Sequence, residues 1–442
     1  MEFIPDFGGL AFTLVAFIAA LSIIVAIHEY GHYIVGRWSG IHAEVFSIGF
    51  GPVLFSRTDR HGTRWQIAAL PFGGYVKFLG DADAASGVDA AAIDALDMDE
   101  RRRSMHGAPL WARSATVAAG PVFNFILSIL IFASVLMLAG RPAEAPVVGE
   151  PAALPAEMAT LRAGDLITSI EGRPVDTLAD VYTVARDLEP SRTVAYVVER
   201  DGATSEIAAS FPLLPIVQSV APQSAAMAAG LQEGDVIRAV DGTAINAFSQ
   251  LRDAVDASGG APLSLSVWRE GEVVDVTLSP RRTDLPTADG GFETRWLIGI
   301  TGGLIFSPET VRVGPGDALW SGVEQTGFII RSSLSGLWHM ITGAISSCNL
   351  QGPIGIAETS GAAASQGIDD FIWFIAVLST AVGLLNLFPI PVLDGGHLLF
   401  HAYEAVSGKP PSEKALRVFM TAGLTLLLSL MLFALTNDIF CP

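Results

Sequence analysis

The sequence predicts a polytopic α-helical membrane protein with four transmembrane helices, a membrane-associated β-hairpin region between the first two, and two α+β domains on the opposite side. Three observations carry this. Half of the 442 residues are hydrophobic and 16% are charged, with a mean hydropathy of +0.47, too apolar for an ordinary soluble chain. Four nearly uncharged stretches are long enough to cross a hydrocarbon core of ~30 Å. Between the second and third of them, a ten-residue pattern occurs twice at an offset of 70 residues.

The four stretches are Leu10 to Tyr33, Ala115 to Ala139, Phe371 to Leu393 and Val418 to Asn437. Glu2 and Asp6 precede the first, with no basic region and no small-residue cleavage site, so it is expected to be a retained span. Basic residues set the orientation. The first loop carries Arg37, Arg57, Arg60, Arg64, Lys77, Arg101, Arg102, Arg103 and Arg113, and the loop before the fourth span carries Lys409, Lys414 and Arg417. The positive-inside rule puts both loops in the cytoplasm, and both termini and the segment from about Gly140 to Asp370 outside. The net charge of −19 argues against a nucleic-acid partner. Cys348 and Cys441 have no metal-type spacing, and their pairing is not expected.

The first span ends in His28-Glu29-Tyr30-Gly31-His32, an H-E-x-x-H pattern. Positions i and i+4 share a helix face, so His28 and His32 can address one metal ion, with Glu29 placed to act as general base. No charge occurs from Leu10 to Ile27, and ionisable groups at membrane depth signal function. The alternative is a chance match on an ordinary helix.

Ala43 to Ser56 and Thr63 to Phe78 are rich in β-branched and aromatic residues. They predict β-hairpins with bends at Gly49-Phe50-Gly51-Pro52 and Pro71-Phe72-Gly73-Gly74. Their apolar content suggests that they dip into the membrane, where an exposed edge could hold an extended substrate. The plainer reading is a small amphipathic sheet packed on the spans. Asp81 to Glu100 reads as an acidic, Ala-rich, solvated and partly helical excursion.

Outside, Ala163-Gly164-Asp165-Leu166-Ile167-Thr168-Ser169-Ile170-Glu171-Gly172 matches Glu233-Gly234-Asp235-Val236-Ile237-Arg238-Ala239-Val240-Asp241-Gly242. Each copy precedes a helix-like stretch and further strands. With Val220 to Ala226 and Ala229-Gly230-Leu231, the second copy resembles PDZ domains, which bind a peptide as an added strand. In the first copy, Pro151 to Leu161 departs from that pattern, which puts its groove in doubt. Both copies could equally form a rigid wall. A strand follows at Trp296 to Thr301, then an apolar stretch, Ala318 to Ile345, whose Glu324 and Arg331 predict a helix at the membrane surface.

The third span closes on Asn386-Leu387-Phe388-Pro389-Ile390-Pro391-Val392-Leu393-Asp394-Gly395-Gly396. Two prolines free backbone groups that lipid does not tolerate. Asp394 then lies at the cytoplasmic end, on the same side as His28 and His32. Two histidines, one carboxylate and a water make a catalytic zinc site with an open position. His397 and His401 compete as third ligand, or lie next to the ligands.

HEYGH in a first span, PVFNF in a second, tandem PDZ-like domains, NLQGPIGIA and NLFPIPVLDGG together resemble the site-2 proteases, most closely the regulator-of-sigma-E type, over essentially the whole chain. The resemblance implies a zinc-dependent intramembrane endopeptidase of the bacterial inner membrane, a monomer with two periplasmic PDZ-like α+β domains. It implies single-span substrates already shortened by another protease, such as anti-sigma factors and signal-peptide remnants. Asn386, Pro389 and Pro391 are expected to handle substrate, with the strand edge around Gly49, Gly51, Gly73, Gly74 and Tyr75. Asn124 fits the second-span pattern without an assigned role. The expected segments are 1–36, 37–112 and 113–140 for the first span, loop and second span. The two external domains take 141–214 and 215–283, the strand and surface helix 284–369, and the last two spans 370–396 and 397–442. A metal carrier, or a scaffold with structural zinc, is the alternative class. A structural site is usually closed by four protein ligands, and three are evident here.

Overall fold

The computed structural model describes residues 7–81, 97–156, 158, 161–287 and 291–441. Most of the acidic stretch expected at 81–100 lies outside the described residues. The chain divides into two compact units, one made of residues 1–135, 315–338 and 347–442 and the other of 136–314 and 339–346.

The first unit is helical around one small sheet. Helix α1 (Phe7–Trp38) carries the H-E-x-x-H pattern, strands β1 (Ala43–Thr58) and β2 (Arg64–Phe78) follow, and a short α2 (Met98–Arg103) leads into α3 (Leu110–Ala139). Later come α4 (Pro315–Ile341), α5 (Pro353–Gln366), α6 (Ile368–Asn386), α7 (Asp394–Ser407) and α8 (Glu413–Phe440). Helices α1, α3, α6 and α8 hold the four stretches that are long and apolar enough to cross a membrane. Their outward faces are apolar, with Leu424, Leu426 and Leu432 of α8 standing open, a surface suited to lipid. Helices α1 and α3 touch through their backbones at Gly31, where a Cβ would come within 2.5 Å of the Ala119 carbonyl oxygen.

The third apolar helix ends at Asn386, short of the expected Leu393. Pro389 and Pro391 have no N–H to continue the helical ladder. The chain instead makes tight turns, with the Phe388 amide donating to Leu385 and the Leu393 amide to Ile390. Asp394 therefore opens a new helix, α7. Helix α5 was not expected. It packs on α1, with Gly361 against Thr13, and on α6 and α8.

Strands β1 and β2 form one long, bent antiparallel pair closed by a turn at residues 59–63. The expected bends at Gly49 to Pro52 and Pro71 to Gly74 fall inside the two strands and do not close separate hairpins. Residues 45–48 of β1 pair both with Lys77 to Gly74 and with Arg64 to Ile67, which also pair with 55–58. Gly49 and Gly51 hold positive φ of 91° and 83° at the bend, where a side chain is disfavoured.

Cys348 and Cys441 are paired, contrary to expectation, with Cα atoms 5.6 Å apart across 93 residues of sequence. The end of α8 and the start of α5 are drawn together there by more than sulfur. The Asp438 carboxylate accepts from the Gly352 and Ile354 amides at 2.7 and 3.0 Å, and the Asn437 amide donates to the Ser347 carbonyl at 2.7 Å.

The second unit contains two modules with the same element order. In the first, strands Leu166–Ile170 and Arg173–Pro174, helix Leu178–Asp187, and strands Thr193–Arg200 and Ala203–Ser210 form a four-stranded sheet with one helix. Val236–Val240, Thr243–Ala244, Phe248–Ala257, Leu263–Arg269 and Glu272–Leu278 repeat it. The repeated Gly-Asp turn has a physical cause. Asp165 and Asp235 are fully buried and receive bidentate bonds from Arg200 and Arg269, each at 2.6–2.7 Å. Neither module ends where the sequence suggests. The returning chain places Ile300–Gly302 beside Val217–Val220 and Phe306–Pro308 beside Val148–Pro151. Ile298 joins the second core, and Leu304, Ile305 and Phe306 join the first. The boundaries 141–214 and 215–283 are therefore too short, and 284–369 is not an independent segment. The strand expected at 296–301 is interrupted at Gly299, which has positive φ.

Candidate metal centre

His28 and His32 project from one face of α1 with their Nε2 atoms 3.1 Å apart. The Asp394 carboxylate, from the first turn of α7, reaches them at 3.2 Å (Oδ2 to His28) and 3.6 Å (Oδ1 to His32). Zinc bonds of about 2.0–2.1 Å at tetrahedral angles separate ligand atoms by roughly 3.3 Å. The three side chains thus match the edges of a zinc coordination shell. Asp394 Oδ2 is buried and accepts no hydrogen bond, and two Nε2 atoms face each other, an arrangement that a shared cation satisfies. Among the described residues these three form the one group able to hold a metal. His397 and His401 line the same cavity but are not part of it.

The other ring nitrogens are fixed from α3. His32 Nδ1 lies 2.8 Å from the Thr116 carbonyl, so it carries the proton and Nε2 is left with its lone pair. His28 Nδ1 lies 3.2 Å from the Asn124 amide nitrogen, while Asn124 Oδ1 is buried without a partner. Turning that amide over satisfies both atoms: Oδ1 then accepts from Nδ1–H, and His28 Nε2 is free to ligate. The Asn124 main chain is itself held, its carbonyl accepting from Ser128 and from Ser379 of α6 at 3.0 and 2.9 Å.

Space at the centre is made by glycine. A Cβ on Gly120 would collide with the His32 ring and come within 2.8 Å of His28 Cε1. Gly395 and Gly396 lie against the carbonyls of Leu387, Phe388 and Ile390, which lets the chain turn sharply into α7. Helix α7 is anchored to α3 by a bidentate pair, Arg113 to Glu404 at 3.1 and 2.6 Å. The His401 ring lies 3.2 Å from the Ser114 hydroxyl through Nδ1.

A cavity of about 300 Å³ opens on the three side chains, and Glu29, Gly74, Tyr75 and Asn386 line it too. A Cβ on Gly74 would sit 3.1 Å from Glu29 Cγ, so the outer row of β2 passes directly over the glutamate. The remaining expected substrate residues lie elsewhere. Gly49, Gly51 and Gly73 shape the strand bends, Gly73 against Phe50, while Pro389 and Pro391 form the turn before α7 and Pro391 packs on Gly423. Thr116, Gly120 and the Arg113–Glu404 pair had no assigned role in the sequence reading. The Gly120-Pro121 step in an otherwise apolar span was the available signal for one of them.

A histidine pair and a carboxylate arranged for zinc, beside a cavity of that size among membrane-length helices, define an integral-membrane metallohydrolase. The sequence matches Peptidase family M50 over residues 16–430. It is 37% identical to a protein of Agrobacterium fabrum named as a zinc metalloprotease, over 98% of this chain and 97% of that one. A Rhizobium meliloti protein named likewise is 38% identical over the same shares. The regulator of sigma-E protease RseP of Salmonella typhimurium is 33% identical over 97% of this chain and 99% of its own. The chain belongs to Peptidase family M50, the site-2 protease family, and is a zinc metalloprotease of RseP-like type.

Proposed function

We propose that this protein is an intramembrane endopeptidase that cuts transmembrane segments of pre-trimmed single-span proteins, anti-sigma factors or signal-peptide remnants among them. His28, His32 and Asp394 hold the zinc and Glu29 is the general base. The observation that carries the reading is the match of the three ligand atoms to a zinc shell, with one Asp394 oxygen unpartnered. Zinc bound there supplies Lewis acidity, which activates water and polarises a carbonyl. Glu29 accepts the proton of the attacking water and delivers it to the leaving amide nitrogen. A helical substrate must unwind first, because its carbonyls are otherwise engaged along the helix. The outer row of β2 at Gly74 and Tyr75 offers replacement partners by strand addition, beside Asn386 in the cavity wall. Gly49, Gly51 and Gly73 support that row by bending the strands, and Pro389 and Pro391 by setting the turn before Asp394.

The orientation follows from the basic loops, with both termini and the modules in the periplasm of a bacterial cell. The Cys348–Cys441 bridge supports it, since such bonds persist in oxidising compartments. We read the two modules as PDZ-like and as a filter that excludes bulky external domains. The test uses purified protein and a single-span reporter in trimmed and untrimmed forms. The trimmed form is expected to be cut, with cutting abolished by a chelator and restored by zinc, and the untrimmed form is expected to resist. Removing residues 141–311, which takes both modules out whole, should let the untrimmed form be cut. Chelator-resistant cutting refutes the zinc mechanism, and continued resistance after the deletion refutes the filter.

A further inference from the structure

A second cavity lies at the other end of the H-E-x-x-H turn, and the proteolytic reading makes no use of it. It holds about 400 Å³ and opens between the end of α1, the β1–β2 turn and the end of α2. Three guanidinium groups line it, one from each element: Arg37, Arg60 and Arg103, with His42 and His61 beside them. Main-chain bonds tie the end of α2 to the chain between α1 and β1 and to the end of β2. The His42 amide donates to the Arg103 carbonyl at 2.9 Å, and the Leu79 amide to the His42 carbonyl at 2.9 Å.

The positive charge is offset only in part, by the one carboxylate of Asp59 against three guanidinium groups. Arg37 donates to His61 Nε2 at 2.5 Å and to Tyr33 Oη at 3.5 Å, neither of them a carboxylate. Arg60 and Arg103 form no ion pair among the described residues. The nearby carboxylate, Asp59, is already saturated: it accepts from the His61 and Thr63 amides, from Tyr33 Oη and from Trp65 Nε1, at 2.8–3.1 Å. That same bonding holds its pKa below the usual carboxylate range and fixes the turn that presents Arg60. Position supplies the second argument. Arg37 is one residue from the end of a membrane-length helix, and Trp38, which follows it, is 74% exposed. An exposed tryptophan at a span terminus marks headgroup depth.

We propose that this cavity binds the phosphate of an anionic phospholipid headgroup. Forked guanidinium groups from three directions match the oxygens of a phosphodiester, and basic pockets beside spans at the membrane surface recognise such headgroups. The bound lipid would pin the start of β1 and the end of α1 to one another.

The test uses the full chain in phosphatidylcholine nanodiscs, titrated with labelled phosphatidylglycerol or cardiolipin. Wild type should show saturable binding, weakened at least tenfold in Arg37→Gln/Arg60→Gln/Arg103→Gln and at least threefold in Arg103→Gln alone. A control with three basic residues changed elsewhere, Arg57→Gln/Arg101→Gln/Arg102→Gln, should bind as wild type does. Zinc content should stay at the wild-type level in every variant, which reports that the fold is intact independently of activity. Equal loss in the control makes the binding diffuse electrostatics and overturns the proposal, as does unchanged binding in the triple variant. Inorganic phosphate at matched concentration should not displace the lipid. If it binds as tightly, the source is free phosphate and the lipid assignment falls.

Discussion

At the scale of single residues, the proposed ligand set depends on atoms that would not touch the metal. Thr116 and Asn124 decide which nitrogen of each histidine carries the proton, and Gly120 leaves room for both rings. Hydrogen-bond partners of ligating histidines are worth about 10–100-fold in metal affinity. Asn124→Leu is therefore expected to weaken zinc binding by that order, whereas Asn124→Asp, which still accepts from Nδ1–H, should hold it. Competition with a zinc chelator measures this, and equal affinity in Asn124→Leu would remove Asn124 from the site. His28, Glu29 and His32 were legible because their spacing is local and their setting is apolar. Asp394 was legible because a carboxylate after two prolines in a span is costly unless used. Thr116 was not, because its contact lies 84 residues from His32 and is made by a backbone carbonyl, which any residue type supplies.

Among the elements, the repeated Gly-Asp turns show how a short motif can be visible while its partner is not. Arg200 and Arg269 sit at the ends of strands where an arginine reads as ordinary surface, yet each closes a fork on a buried aspartate. The Arg200 guanidinium, hydrogen-bonded to Asp165, holds that carboxyl below the usual range. A folded-state pKa below the unfolded one adds stability that is fully present above about 3.9 and lost as pH falls through the lower folded value. Asp165→Asn should cost about 2 kcal/mol at pH 7, and the difference from wild type should shrink as pH falls below 4. Hydrogen exchange of the Leu166–Ile170 amides in the full chain, corrected for intrinsic rates, measures it. A difference independent of pH would contradict the ion pair's role. Helix α5 escaped the sequence reading for the opposite reason. It is short, rich in glycine and alanine, and has no apolar stripe, because its small residues pack directly on α1.

For the molecule as a whole, four membrane-length apolar helices and a duplicated module were legible from hydropathy and repetition, whereas the strand pair was expected as separate hairpins because its glycine bends look like turns. The way the modules close was not legible. Residues 298–308 return to complete two cores in turn, a pairing across about 80–160 residues that no local pattern announces. Topology is open to a direct check, because Cys348 and Cys441 are paired and leave introduced thiols as the reactive ones. Thr204→Cys should label with an impermeant reagent in intact spheroplasts, and Arg102→Cys only after permeabilisation. The reverse pattern would invert the protein.

The central claim, a zinc held by His28, His32 and Asp394 and served by Glu29, is tested most directly by assaying zinc content and reporter cleavage together in purified Glu29→Gln and Asp394→Ala. Glu29→Gln should retain one zinc per chain and lose cleavage by at least about 100-fold, while Asp394→Ala should lose both. Full zinc occupancy in Asp394→Ala, or wild-type cleavage by Glu29→Gln, would contradict it.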